Sequence, residues 1–69
     1  MSEVEQLVKM ANQIGENFSF HDDAVARLTD HLQRFWAPSM RQKLIEFHQS
    51  GGSGLIPDVV TAIRNLETE

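Results

Sequence analysis

Apolar and polar residues recur at helical spacing in four stretches of the chain. In the first, from about residue 3 to 16, Val4, Leu7, Val8, Ala11 and Ile14 fall on one face, and Phe18 continues it. Ser2 stands ahead of this stretch with Glu5 three residues on, the spacing of a reciprocal helix cap. Glu5 and Lys9 are placed to pair on the wet side. Gly15 weakens the helix and marks its expected end, with Met10 on the flank of the stripe. The second stretch, residues 23–36, carries Val25, Leu28, Leu32, Phe35 and Trp36, with Asp22 and Asp23 supplying negative charge at its start. Asp23 with Arg27, and Asp30 with Arg34, are acid–base pairs one turn apart on its exposed side.

Pro38 cannot continue that helix but suits the first position of another, so the spacing predicts a sharp corner and a third helix over 38–49. Its inward positions are Met40, Leu44, Phe47, Ile45 and His48, and Gly51 is expected in the left-handed conformation of a C-terminal cap. Pro57 opens a fourth helix over 57–67 that turns Val59, Val60, Ile63 and Leu66 inward. Branched residues there also suit a strand, but spacings of three and four favour helix, and no hairpin signal occurs. The pattern predicts an all-α fold: one small domain of four short amphipathic helices, with the Gly/Ser loop 50–54 as a flexible joint.

With 69 residues the core is small. Ordering such a chain costs on the order of 100 kcal/mol, and apolar burial offsets this narrowly, so a second copy or a partner chain is an expected source of stability. Cysteine is absent, which removes disulfides and thiolate metal sites. Ten acids against six bases leave a net charge of −4, a poor balance for nucleic acid even though short helices at sharp turns outline a helix-turn-helix. No run approaches the roughly 18 apolar residues of a membrane span, and the start of the chain lacks a signal-peptide pattern. A soluble cytoplasmic protein without membrane or nucleic-acid partner is expected.

Candidate chemistry is sparse. His21, His31 and His48 are far apart and fall in no metal-ligand spacing. Asp22-Asp23 beside His21 is explained by helix-start electrostatics. Gly51-Gly52-Ser53-Gly54 lacks the Gly-Lys-Ser/Thr ending of a phosphate loop and follows no strand. No serine or threonine sits in a nucleophile motif, and no catalytic, cofactor or metal residue is assigned. The central stretch differs. Arg34, Phe35, Trp36, Met40 and Arg41 bring together residue types enriched at protein interfaces, and Trp36 is the sole tryptophan. Two compatible readings follow: the core corner of a small domain, and a docking surface with the arginines at its rim.

Asp30-His31-Leu32 running into Arg34-Phe35-Trp36, then Pro38 and Met40-Arg41, followed by Gly51-Gly52-Ser53-Gly54-Leu55 and Pro57, resembles the delta subunit of NAD-dependent, molybdenum-containing formate dehydrogenase. The opening Leu7-Val8-Lys9-Met10-Ala11-Asn12-Gln13-Ile14 matches that family's start, so the resemblance runs from about Leu7 to Ile63. Ala37 and Ile56 depart from it at helix-start caps. The resemblance implies a non-enzymatic accessory subunit that supports assembly or stability of the catalytic chains, the alpha subunit foremost. It also places the molybdenum cofactor, iron–sulfur clusters and flavin in the partner subunits, with none in this chain. Arg34, Phe35, Trp36, Met40 and Arg41 are the candidate contact residues, and Gly51, Gly52, Gly54 and Leu55 a second patch. A self-associating helical module unrelated to formate oxidation is the competing expectation.

Overall fold

Ser2 opens the first helix, α1 (Glu3–Phe18): its hydroxyl accepts from the Glu5 N–H at 3.1 Å, and the Glu5 carboxylate accepts from the Ser2 N–H at 3.4 Å. This computed structural model describes residues 2–68. Glycine does not end α1. Gly15 is buried where α1 meets its neighbours, and a Cβ there would lie 2.9 Å from Ile56 Cδ1 and 3.2 Å from Val59 Cγ2. Its missing side chain lets the backbones approach, and the helix runs on to Phe18.

The second helix, α2 (Ala24–Phe35), is one residue shorter at each end than the apolar pattern suggests. Asp23 precedes it without a side-chain cap bond, because its carboxylate accepts from Arg27 Nε at 2.7 Å. That hydrogen bond holds the Asp23 carboxyl below its ordinary pKa. Ala37 takes the extended backbone that a following proline imposes, and α3 (Pro38–Gln49) starts at once in a new direction. Its end is fixed by two backbone bonds: Gly52 N–H to the Phe47 carbonyl at 2.9 Å and Gly51 N–H to the His48 carbonyl at 3.1 Å. This double cap requires a positive φ at Gly51, observed at +87°. The last helix is α4 (Pro57–Glu67).

The four helices enclose one core: Leu7 and Ala11 from α1, Leu28 and Leu32 from α2, Leu44 from α3, and Val59, Ala62 and Ile63 from α4, with Trp36 closing the α2–α3 corner. The α2–α4 contact is the most extensive. Buried Thr29 stays satisfied by donating to the Val25 carbonyl at 2.8 Å and accepting from Asn65 at 3.4 Å. No strand occurs among the described residues, and none of their helices is long and apolar enough to cross a membrane.

The Gly/Ser loop is held more firmly than its composition suggests. The Asn12 side chain on α1 donates to the Gly54 carbonyl at 2.7 Å and accepts from the Ile56 N–H at 3.1 Å, so one amide clamps the chain just before α4. Asn12→Ala removes both bonds. It is expected to lower stability by about 1–2 kcal/mol and the thermal midpoint by roughly 5–10 °C, read by circular dichroism. Asn12→Asp keeps the acceptor alone and should fall between. An unchanged midpoint in the alanine variant would show that the clamp contributes nothing.

Candidate functional site

The central stretch splits into an inner and an outer half. Trp36 is turned inward, with 5% of its surface exposed, and belongs to the core. Met40 packs half-buried against the same core. Arg41, in the first turn of α3, reaches back across the corner, where Nη1 donates to the carbonyls of Leu32 at 3.3 Å, Gln33 at 3.0 Å and Trp36 at 2.6 Å. These belong to the α2 C-terminus, where the helix dipole favours a cation, and the Leu32 carbonyl also accepts the Trp36 N–H at 3.2 Å. Arg41 therefore locks the angle between α2 and α3. A shallow notch of about 300 Å³ opens beside it, lined by Gln33, Pro38, Arg41, Gln42, Ile45 and Leu66.

Arg34 and Phe35 face outward. Arg34 Nε pairs with Asp30 at 2.9 Å. Phe35 is 71% exposed. The glycine patch lies elsewhere, on the α3–α4 connection. Gly51 serves the cap, and the Phe47 ring lies so close over Gly52 that an added Cβ would meet it at 2.5 Å. Gly54, at φ +94°, offers its carbonyl to Asn12, and Leu55 packs half-buried on the core. The loop and the corner are thus built by different parts of the fold, and what the corner leaves outside is Arg34 and Phe35.

A second exposed ring changes the picture. Phe20, in the α1–α2 connection, is 78% exposed, and its ring lies 4.8 Å from that of His21. His21 packs on Phe18 at 6.2 Å, Phe18 meets His31 edge-on at 6.0 Å, and His31 lies 4.8 Å from Phe35. Phe20, His21, Phe18, His31 and Phe35 thus form one continuous aromatic strip from the start of α2 to its end. Two histidines ten residues apart in the chain converge on Phe18, a meeting their spacing does not reveal. The legible signal was the His31–Phe35 pair one turn apart, together with two phenylalanines in a short connection. Both ends of the strip stand out into solvent as large apolar groups, the kind of surface that marks an interaction site.

Among the described residues, no group of three or more His, Asp or Glu side chains could hold a metal ion. What these helices define is a small all-α domain that turns its sole tryptophan inward and displays an aromatic face. The family model of the NADH-dependent formate dehydrogenase delta subunit, FdsD, matches residues 6–63, and the chain belongs to that family. Neither comparison with curated proteins nor comparison with solved structures gives a match.

Proposed function

We propose that this delta-subunit chain is a non-catalytic accessory subunit that docks on the catalytic chain of a cytoplasmic formate dehydrogenase, the alpha subunit, and supports its assembly or stability. The observation that carries this reading is the exposed aromatic strip on a member of the delta-subunit family. Two phenylalanines held open at its ends are costly for a free domain and useful for a docked one. The molybdenum cofactor, iron–sulfur clusters and flavin belong in this reading to the partner subunits, since cysteine-free chains offer no thiolates to a cluster. Of the contact residues suggested by sequence, Phe35 and Arg34 lie on the docking face, and Phe20, His21 and His31 join them. Trp36, Met40 and Arg41 support that face from behind.

Burying an exposed phenylalanine contributes about 2 kcal/mol, near 30-fold in affinity for each ring. The double variant Phe20→Ala, Phe35→Ala should therefore keep its helix content and thermal midpoint yet lose retention by the alpha subunit in co-purification. A folded double variant retained as well as the wild type would place the docking face elsewhere.

A further inference from the structure

We propose that the free chain pairs with a second copy of itself, α2 against α2 in antiparallel order, and so covers the aromatic strip until a larger partner takes it. The outward side of α2 carries Asp23, Arg27, Asp30 and Arg34, all exposed and spaced to lie along one stripe. Read along the helix, the signs run negative, positive, negative, positive. Turned end for end by a two-fold axis, the same stripe reads positive, negative, positive, negative. Each acid then meets a base: Asp23 faces Arg34 of the second copy and Asp30 faces its Arg27, and each contact occurs twice, as an isologous interface requires.

The rings obey the same symmetry. Phe35 is the last residue of α2, and Phe20 with His21 lies just ahead of its first. Reversal brings Phe35 of one copy opposite the Phe20–His21 connection of the other, at both ends. Residues 20–35 hold three acids and two bases, so the contact face carries only −1 of the net −4 and like-charge repulsion across it is small. A helix of 12 residues is about 18 Å long, which gives a contact at the low end of interface sizes, so the pair forms and parts with concentration. The same rings cannot serve a second copy and a larger partner at once, so docking on that partner dissociates the pair.

Sedimentation equilibrium of the full chain tests this. The wild-type mass should rise from 7.8 kDa toward twice that value between micromolar and millimolar concentration. Asp30→Arg sets two bases against each other at the centre of the stripe and Arg27→Asp sets two acids, so each variant alone should stay monomeric with unchanged helix content. Mixed in equal amounts, the two variants should recover the dimer, because each repairs the other's charge. Phe35→Ser should weaken wild-type pairing at least tenfold. A wild type that stays monomeric at millimolar concentration, a single variant that self-associates like the wild type, or a mixture that stays monomeric each overturns the pairing. A monomeric wild type still retained by the alpha subunit overturns it while leaving the docking reading intact.

Discussion

Trp36→Ala is expected to lower the stability of the domain by about 3–5 kcal/mol. A chain of this length has roughly 3–10 kcal/mol in total, so the variant should be largely unfolded near physiological temperature. Trp36 is the largest side chain in the core and sits where α2 turns into α3. Its removal leaves a cavity at the corner that Pro38 and Arg41 hold at a fixed angle, so the helices cannot close on it. Trp36→Phe keeps most of the volume and should cost about 1–2 kcal/mol. Urea unfolding followed by circular dichroism reads both. A loss below about 1 kcal/mol for Trp36→Ala would mean that the corner collapses freely and is no rigid element. It follows that weakened co-purification of Trp36→Ala reports an unfolded domain, whereas Phe20 and Phe35 report the surface.

The sequence displayed the helices because each carries its own period. Ser2 with Glu5, Pro38 and Pro57 mark their starts, and Gly51 a C-terminal cap. Gly15 misled for a physical reason: a glycine that ends a helix and a glycine that admits a neighbouring helix look alike until that neighbour is known, here Ile56 and Val59, more than forty residues away. The same distance hides Asn12, an ordinary polar residue by pattern whose amide closes on Gly54 and Ile56. At the candidate site, composition singled out a stretch but could not give its sidedness. Trp36 and Phe35 are adjacent, equally apolar in type, and separated only by the backbone turn at the end of α2, which sends one into the core and the other into water. Phe20 lies in a connection without periodicity, so no pattern could assign it a face.

Arg41→Ala is expected to lower stability by about 2–3 kcal/mol, the second largest effect, because one guanidinium nitrogen serves three carbonyls at the negative end of the α2 dipole. The bonds are charge-assisted and partly shielded from solvent, which makes them stronger than the exposed, solvent-screened pairs Asp23–Arg27 and Asp30–Arg34. Arg41→Lys keeps the cation near the α2 C-terminus but not the planar guanidinium that points Nη1 at the three carbonyls, and should recover roughly half of the loss. Arg41→Met keeps the apolar stem alone and should resemble the alanine variant. Because arginine stays charged at every accessible pH, the difference between wild type and Arg41→Ala should not change between mildly acidic and mildly basic solution. Urea midpoints of the four proteins measure this lock. If Arg41→Ala instead unfolds within about 0.5 kcal/mol of wild type while losing the alpha subunit, then its guanidinium works on the partner, and the α2–α3 angle is held by Trp36 and Pro38 without it.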